Sequence, residues 1–575
     1  MPEHDRATLK SRIAGLLPII SWAPSYDRTW LRPDIIAGLT VAALVVPKSL
    51  GYAGIANVPI QHGLYAAAAG AILYALFGTS RQIATNPSSS LAAIAGSALI
   101  LTGIVDEQVA VEFVAGIALL TGVLFLAMTI FKMGWISQFI SRAVIVGFLF
   151  GAALDVTVGE LNKLTGTSDD GDNAWQEFWS WVDGLGDLSR STLFVGVLAL
   201  VALFALRAVA PRLPGTLIVV VGGLLASTLF DLGDRGVELV GDVPRGLPAP
   251  SIPSLDVFLD NAVYMLIAAV GIVMVGFSQN AGYARAFAIK HHYRIDIDQE
   301  SLAQGAANIG SGLFQGIPVA TSLSSSSLND HSGAKTQMAS LVTGGVVVLT
   351  MLAFAPLFSD LPEPVLGAVI IEAVLMGMID VPAMRRMFHV KRSDFWIAVA
   401  ALVSVLLLGV LGGVIVGVIL SVGWLVRTVT SPAMPLLGRE HGTHIFREID
   451  VYPDDEQFPG VIVFGIDSGL FFATSDALGD RFRELMLSGE QPTSAVVLDC
   501  RSVTFIDSQG SAQLGELIEY SRAQGITLVL ARMRPQVIEI LRRDGIMDQL
   551  GDDELFESVN DAVLAQLNRA PRTPA

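Results

Sequence analysis

Long apolar stretches recur along this chain from about residue 34 to residue 430, and they restrict its fold more than any other feature. One helical crossing of a bilayer needs roughly 20 apolar residues, so this region has room for about twelve to fourteen crossings. The composition agrees, because 52% of the 575 residues are hydrophobic and 15% are charged, whereas a soluble domain usually carries about a quarter charged residues. The sequence therefore predicts a polytopic α-helical membrane protein.

The loops between these stretches alternate in charge, which predicts their orientation. Basic loops carry Lys132 with Arg142, Arg207 with Arg212, Lys290 with Arg294, and the basic residues of 385 to 392. Acidic loops carry Asp106 with Glu107, Asp169 to Asp172, Asp231 to Glu238, and Asp360 with Glu363. Because basic loops stay on the cytoplasmic side, we expect a multi-pass cell-membrane protein with both termini cytoplasmic, including an N-terminal arm over residues 1 to 33.

The composition changes after about Val429, and from Ile445 onward strands alternate with helices. The predicted strands are 461 to 466, 495 to 500 and 526 to 531, and the predicted helices are 474 to 487, 511 to 525 and 558 to 567. Strands of about six residues between helices of about ten to fifteen are typical of a small α/β domain, which we place at residues 445 to 575. No motif in it predicts catalysis, and because it contains no Walker loop for binding phosphate, we do not expect ATP-driven pumping through this domain.

Two segments inside the apolar region are interrupted in the same way. FGTSRQIATNPSSSLAAIAG (77 to 96) and QGIPVATSLSSSSLND (315 to 330) each place a proline and then serines before a short helical stretch. A helix that begins inside the bilayer directs unpaired N–H groups and the positive end of its dipole toward the membrane centre. Two such ends facing each other predict an anion site. The alternative is that the serines only cap helices or pack between them.

Lys48 lies near the middle of another apolar stretch, DIIAGLTVAALVVPKSLGYAGIA (34 to 56), directly after Pro47. A charged side chain at that depth is costly, and so is a proline that removes a helical hydrogen bond. Because ionisable groups inside membranes are usually functional, we interpret Lys48 as a cation at a binding site. The alternative is a structural lysine that snorkels to the interface or pairs with a carboxylate.

Two long segments resemble the sulfate permease family of anion transporters. The first is PKSLGYAGIANVPIQHGLYAAAAGAILYALFGTSRQIATNPSSSLAA (47 to 93). The second, residues 284 to 344, contains the run SLAQGAANIGSGLFQGIPVATSLSSSSLND. The stretch VTFIDSQGSAQL (503 to 514) is similar to the STAS domain that follows the membrane region in this family. The resemblance covers nearly the whole chain.

The resemblance implies 14 transmembrane segments, TM1 to TM14, in a seven-plus-seven inverted repeat within residues 34 to 430. Segments TM1 to TM4 and TM8 to TM11 would form a core domain, and TM5 to TM7 with TM12 to TM14 a gate domain. TM3 would begin near Pro87 and TM10 near Ser322, with the anion held between these two ends and TM1. The resemblance further implies elevator-type alternating access, in which the core domain carries the site past the gate domain, and a homodimer.

The resemblance also implies, position by position, which residues bind the anion. Lys48 stands where the family usually has a glutamine, and Ser325 stands where many relatives keep an arginine. The cation beside the anion has therefore moved from TM10 to TM1 in this interpretation. The implied substrate-binding residues are Lys48, Tyr52, Ser88, Ser89, Ser324 and Ser325.

Coupling to an ion gradient depends on carboxylates within the membrane region. Many bacterial relatives carry an acidic residue in TM8 that is linked to proton or sodium coupling, and Gln279 takes that position here. Asp155 and Glu372 lie in predicted gate segments, and either is able to pair with Lys48 or to act in coupling. The sequence alone does not choose between them, and Glu372 also fits a structural role at a helix boundary.

These features predict a secondary transporter of small anions, with sulfate as the first expectation and bicarbonate, chloride or a dicarboxylate as alternatives. A second class stays open, namely an anion-responsive membrane protein that signals through its STAS domain and moves little substrate. A nucleobase permease of the same architecture is disfavoured by the STAS domain and by the serine-rich helix ends. We expect no cofactor, no metal and no nucleic acid, and we expect membrane lipid and a regulatory protein at the STAS domain as partners.

Ser508 is the candidate regulatory residue. It follows Asp507 in the sequence IDSQG and resembles the serine that anti-sigma-factor antagonists present to a kinase at a helix start. Phosphate charge added there would remodel a contact surface. The alternative is that Asp507 and Ser508 only cap the following helix.

The charge alternation predicts that the loop between about residues 160 and 190, which contains Trp175 and Trp179, is external. Single cysteines placed in this loop should therefore react with a membrane-impermeant thiol reagent added to intact cells. Labelling that occurs only after lysis would reverse the orientation.

Overall fold

The computed structural model describes residues 17–132, 141–167, 174–210, 213–488 and 493–569. By its internal contacts the chain divides into two compact units, Met1–Ser421 and Val422–Ala575. Several residues used in the charge argument lie outside the described residues. These are Asp169 to Asp172 and Arg212, together with residues 1–16 of the predicted N-terminal arm.

The first unit is built almost entirely of helices, preceded by a helical turn at Ile19–Trp22. They are α1 (Leu31–Ile55), α2 (Gln61–Phe77), α3 (Ser89–Thr102), α4 (Glu107–Ile130), α5 (Arg142–Gly159), α6 (Leu161–Thr165), α7 (Ala174–Asp183), α8 (Arg190–Val209), α9 (Gly215–Phe230), α10 (Leu255–Asp260), α11 (Ala262–Lys290), α12 (Ile297–Leu313), α13 (Leu323–His331), α14 (Met338–Leu349), α15 (Glu363–Met378), α16 (Val381–Val390) and α17 (Arg392–Thr430). Two short strands, β1 (Thr85–Pro87) and β2 (Val319–Thr321), precede α3 and α13.

The apolar helices confirm a multi-pass membrane protein. In the described part of the chain, eight helical stretches are long and apolar enough to cross a bilayer, and α3 and α9 are shorter apolar helices. This count does not confirm the 14 segments that the resemblance implies. Helices such as α3 and α13 begin in the interior and are too short to span alone, and α17 combines two helices across a break at Gly409.

The helices of the first unit pack mainly in two groups. The first helix group comprises α1 to α4 and α11 to α14, with α12 against α2 and α4, and α14 against α1 and α2. The second helix group comprises α5, α6, α8, α9 and α15, with α15 against α5, α6 and α8. At Gly147 and Gly151, α5 packs directly against the backbone of α17. A side chain at either position would collide with the α17 backbone, so the close packing depends on these glycines. The two groups meet mainly where α15 contacts α1 and α3 and where α9 contacts α1.

The strands β1 and β2 join the two halves of the first helix group. They pair antiparallel, with Thr85 opposite Thr321 and Pro87 opposite Val319. Both strands are buried, and in such surroundings backbone groups that leave a helix must find other partners. The ladder is extended by the Ser322 N–H, which donates to the Ala84 carbonyl at 3.1 Å.

Buried amide side chains complete the hydrogen bonding of this strand pair. The Asn308 side chain donates to the Val319 carbonyl at 2.8 Å and accepts from the Val319 N–H at 2.9 Å, so it acts as a further strand edge. Gln304 donates to the hydroxyls of Thr85 and Thr321 at 2.9 and 2.8 Å. Both residues lie on α12, and neither side chain is exposed. Their polarity is therefore explained by the interrupted backbone.

A buried carboxylate supports the loop that leads into β1. Glu300, at the start of α12, accepts from the Thr79 N–H at 2.7 Å and from the Ser80 N–H at 2.9 Å. It also accepts from the hydroxyls of Thr79 and Tyr74. Asp34 on α1 does the same for the loop after α13, because it accepts from the backbone N–H groups of Lys335 and Thr336.

The second unit contains the α/β domain that the sequence predicts. Its elements are β3 (Leu437–Arg439), β4 (Phe446–Glu448), β5 (Val461–Gly465), α18 (Ser475–Ser488), β6 (Ala495–Asp499), α19 (Ser508–Ala523), β7 (Thr527–Ala531), α20 (Pro535–Arg543), α21 (Ile546–Leu550), β8 (Leu555–Phe556) and α22 (Val559–Leu567). Strands β5, β6, β7 and β8 form a parallel sheet in that order. All six predicted strands and helices are present, and the β3–β4 hairpin, β8, α20 and α21 are additions.

Each face of the parallel sheet has its own apolar core. Phe464 and Leu498 face a core that includes Phe482 of α18. Val463 and Val497, their neighbours along the strands, face a second core with α22. Side chains alternate between the two faces of a strand, so a sheet covered on both faces needs strands that are apolar throughout. The continuous apolar runs 461 to 466 and 495 to 500 therefore predicted strands.

The strand pair predicts a specific loss of stability for Asn308→Ala. The substitution removes the partners of both buried Val319 backbone groups, and an unsatisfied buried group costs about 1–3 kcal/mol. We expect thermal unfolding of the purified protein to show the free energy of unfolding lowered by about 2 kcal/mol or more. Ser301→Ala is the control, since Ser301 is also buried on α12 but bonds only within its own helix. Equal destabilisation by the two variants would contradict this role of Asn308.

Candidate functional site

Helices α3 and α13 begin in the interior of the first unit, directly after the paired strands. Ser88 precedes α3 and Ser322 precedes α13, close to the predicted starts at Pro87 and Ser322. Neither first turn contains an acidic side chain. The Ser322 Oγ accepts from the Ser325 N–H at 3.3 Å, and within the described residues no side chain caps α3. Unpaired N–H groups and positive dipole ends are thus presented at both places.

A cavity of about 360 Å³ lies at these two helix ends. Its wall on the first helix group contains Lys48 and Tyr52 of α1 and Gln279 and Tyr283 of α11. Its serine residues are Ser88, Ser89, Ser90, Ser322, Ser324 and Ser327. The facing wall comes from the second helix group and contains Leu149 of α5, Arg207 of α8, and Ala373, Met376, Gly377 and Met378 of α15. The cavity therefore lies between the two helix groups.

Lys48 reaches this cavity because of its position on α1. Lys48 and Tyr52 are four residues apart, which places them on the same face of the helix, and Pro47 lies inside the same helix. The Lys48 ammonium is within electrostatic range of Glu372 and Arg207. Among the residues that the structure describes, no carboxylate forms an ion pair with it. Lys48 thus lines the cavity without a carboxylate paired to it in the described residues.

Arg207 is a second cation at the cavity, and the charge argument placed it wrongly in a basic loop. It lies in the last turn of α8, and its Nη1 donates to the Glu372 Oε1 at 2.6 Å. The Arg207 side chain is 52% exposed, whereas that of Glu372 is 6% exposed. Ionisable groups inside membrane helices usually pair with one another. The acid Glu372 in the apolar sequence of α15 is therefore the signal that predicts a cationic partner on a neighbouring helix.

Three residues that the sequence assigned to anion binding or coupling do not line the cavity, namely Ser325, Glu372 and Asp155. Ser325 is 3% exposed and its side chain is buried. The serines of this segment that do line the cavity are Ser322, Ser324 and Ser327. Glu372 lies behind Arg207, and its Oε2 is buried without a hydrogen-bond partner in the described part of the chain.

Asp155 lines a separate cavity of about 220 Å³, together with Glu160 and Lys163. That cavity lies near Ile55 at the end of α1 and Leu101 near the end of α3. Since α3 begins at the larger cavity and ends at this one, the two lie at opposite ends of the helix. Of the two carboxylates, Glu372 is the one within electrostatic range of Lys48, and it is paired with Arg207.

Ser508 lies in the second unit, as the first residue of α19, with its side chain exposed. Asp507 caps the helix by accepting from the Gly510 N–H at 2.8 Å and from the Phe472 N–H at 3.0 Å. Partial desolvation opposes ionisation of Asp507, but these backbone donors outweigh it and lower the pKa of its carboxyl group. The capping role thus belongs to Asp507, and the Ser508 hydroxyl stays accessible.

The sequence of the chain matches two known families. Residues 31–401 match the sulfate permease family, and residues 452–562 match the STAS domain. A probable sulfate transporter of Mycobacterium tuberculosis (strain CDC 1551 / Oshkosh) is 33% identical over 554 residues, which cover 96% of this chain and 98% of that protein. High affinity sulfate transporter 2 of Stylosanthes hamata is 30% identical over 608 residues, which cover 99% of this chain and 89% of that protein.

Solved structures show the same fold. The murine Solute Carrier 26 family member A9 anion transporter, solved in the inward-facing state, has a TM-score of 0.87 at 23% identity, covering 97% of this chain and 95% of that chain. The transmembrane domain of a cyanobacterium bicarbonate transporter has a TM-score of 0.60 at 19% identity, covering 68% of this chain and 98% of that chain.

The matched residues include both segments that carried the resemblance, 47 to 93 and 284 to 344, and the STAS match includes 503 to 514. The relatives are transporters, which confirms the expectation that the chain is not an enzyme. On the combined evidence of sequence and fold, the chain belongs to the sulfate permease family, with a STAS domain after its membrane unit.

Proposed function

We propose that this protein is a secondary transporter of small anions, with sulfate as its main substrate. The names of its relatives support the substrate class. The observation that carries the proposal is the cavity between the ends of α3 and α13, which combines two helix N-termini, six serine residues and the Lys48 ammonium. Helix N-termini and serine hydroxyls donate hydrogen bonds to an oxyanion, and a nearby cation adds charge attraction.

In the proposed bound state the anion accepts hydrogen bonds from the first turns of α3 and α13. Tyr52 lies against Ser89 and holds that side of the cavity in place. Lys48 supplies the compensating charge from α1. The alternative in which Lys48 pairs with a carboxylate for structure is disfavoured, because Glu372 is already paired with Arg207.

The two helix groups support an elevator-type mechanism. The serines, Lys48 and Gln279 belong to the first helix group, whereas Arg207 belongs to the second. In this proposal the first group moves as a rigid body with the anion, and its surface slides along α8 and α15 to open the cavity to the other side.

Glu372 is the carboxylate we propose for coupling. Its Oε2 is buried and has no partner in the described residues, while its Oε1 pairs with Arg207. Protonation of Glu372 would weaken that pair and make Arg207 available to the anion, so proton uptake and anion binding would favour each other. Gln279 is neutral and serves as a hydrogen-bonding group of the wall.

Uptake of labelled sulfate into proteoliposomes tests the proposed function directly. We expect sulfate uptake that unlabelled sulfate inhibits more strongly than bicarbonate, chloride or a dicarboxylate. Binding of sulfate without measurable uptake would contradict transport and favour the signalling alternative. Stronger inhibition by another anion of the panel would replace sulfate as the main substrate.

Lys48 provides the sharpest variant test of the site. Lys48→Gln restores the residue usual in the family but removes the cation, so we expect the sulfate affinity in uptake assays to fall about tenfold or more. Lys48→Arg should retain part of the affinity because it keeps the charge. Adding Ser325→Arg to Lys48→Gln should not restore it, since position 325 is buried.

The matched control for this test is Lys335→Gln. Lys335 is exposed in the loop after α13 and does not line the cavity. If Lys48→Gln transports sulfate as the parent and the control do, while its stability falls, Lys48 is structural and does not bind the anion.

Ser508 is the proposed regulatory residue of the STAS domain. A phosphate at the exposed first residue of α19 would add negative charge beside the Asp507 carboxylate and change the surface that a protein partner meets. We therefore expect Ser508→Glu to change either the uptake rate or the oligomeric state, and Ser508→Ala to behave as the parent protein does. Equal uptake and equal mass of the two variants by light scattering would contradict a switch at Ser508.

A further inference from the structure

A third and larger cavity lies in the second helix group and shares no lining residue with the anion cavity. It has a volume of about 770 Å³ and follows the groove between α8 and α9. Its wall includes Phe194, Leu198 and Ala202 of α8 and Gly222 and Phe230 of α9. Binding sites for organic ligands commonly enclose about 300–1,000 Å³, so this groove is large enough for a ligand of its own.

Small residues form the floor of the groove. A side chain added at Gly222 would meet open space, whereas one added at Gly223 would contact Val365 of α15 at 3.0 Å. The apolar side chains that border the groove are exposed, with Phe194, Leu198 and Phe230 at 68%, 57% and 55%. An apolar recess of this kind between apolar helices of a membrane protein is suited to hydrocarbon.

The groove has the length of a lipid chain and a charged end. It runs along α8 from Arg190 to Leu206, which is about 24 Å at the helical rise per residue. The guanidinium-bearing residues Arg190 and Arg235 both line it. They lie at the same end, since the Ser191 Oγ donates to the Arg235 carbonyl at 3.1 Å. The rest of the lining is apolar apart from Ser191.

The two arginines are available to an anionic group. Neither forms an ion pair with any residue in the described ranges, although Asp231 and Asp234 are close to Arg235 in sequence. Arginine near the membrane surface keeps its head group in the polar layer, and its planar fork binds phosphate through two parallel hydrogen bonds. Charge complementarity therefore selects a phosphate at this end of an apolar groove.

We propose that the α8–α9 groove binds an anionic phospholipid, with an acyl chain along the groove and the phosphate at Arg190 and Arg235. A zwitterionic phospholipid offers the same chain and phosphate but adds an ammonium group that the two arginines repel. The site therefore prefers lipids of net negative charge. This proposal depends on insertion of the hairpin in a membrane and is independent of the transported anion.

The test uses the purified full-length protein with phosphatidylglycerol and phosphatidylcholine in competition, and native mass spectrometry counts the lipids retained. The parent should retain phosphatidylglycerol in preference to phosphatidylcholine. Arg190→Gln combined with Arg235→Gln should reduce that preference about tenfold. Gly222→Leu fills the groove without a clash and should reduce retention of both lipids about tenfold.

Gly345→Leu is the matched control, because Gly345 is an exposed glycine of α14 with open space beside it and lies outside the groove. The proposal is overturned if the parent shows no preference, if the arginine variant keeps it, or if Gly222→Leu and Gly345→Leu retain lipid equally. If Gly222→Leu instead converts a dimer to a monomer with lipid retention unchanged, the groove is an interface between copies and not a lipid site. Should Gly222→Leu not fold, the arginine variant decides alone.

Discussion

The antiparallel pair of β1 and β2 is the constraint on which the membrane unit depends. Inside an apolar unit, a chain that leaves the helical state must satisfy its backbone N–H and C=O groups elsewhere. The two interrupted segments meet this requirement by pairing with each other, from Thr85–Thr321 to Pro87–Val319. The same pairing places the starts of α3 and α13 at one cavity. The geometry of the candidate site is therefore a consequence of how the broken helices satisfy their own hydrogen bonds.

Buried polar side chains of the first helix group divide into two classes. Glu300, Gln304 and Asn308 point at irregular backbone or at the strand threonines and are fully buried. They are structural, because Glu300 and Asn308 satisfy backbone groups outside the helices and Gln304 joins the side chains of the two strands. The serines at the starts of α3 and α13, by contrast, line a cavity. The serines that line the cavity are thus candidates for ligand binding, whereas these three fully buried side chains are not.

The charged residues at the cavity suit the anion that we propose it binds. Lys48 and Arg207 contribute two positive charges, and Glu372 contributes one negative charge through its pair with Arg207. One positive charge remains, and each helix N-terminus adds about half a charge more. Lys48 belongs to the first helix group and Arg207 to the second, so the relative movement that we propose would change the charge that an anion meets.

Much of this arrangement was predictable from the sequence, and the exceptions have physical reasons. The repeated proline–serine interruptions and the charge of Lys48 are local signals, and they pointed to residues that the structure brings to one cavity. The alternation of short apolar strands with helices likewise predicted β5, β6 and β7. The pairing of β1 with β2 was not predictable, because each strand has three residues and the contact spans more than 200 positions. Arg207 was missed because an arginine near a helix end looks like a loop residue. Ser325 was assigned to the site because a match of motifs does not show which of several consecutive serines faces a cavity.

The most direct test of the account is to locate the bound anion. Selenate has the shape and charge of sulfate and contains an anomalous scatterer, so a crystal of the protein grown with selenate would show its position. The account predicts one anomalous peak in the cavity, within hydrogen-bonding distance of the first turns of α3 and α13 and beside the Lys48 ammonium. A peak elsewhere in the membrane unit, with this cavity holding no anion, would contradict it.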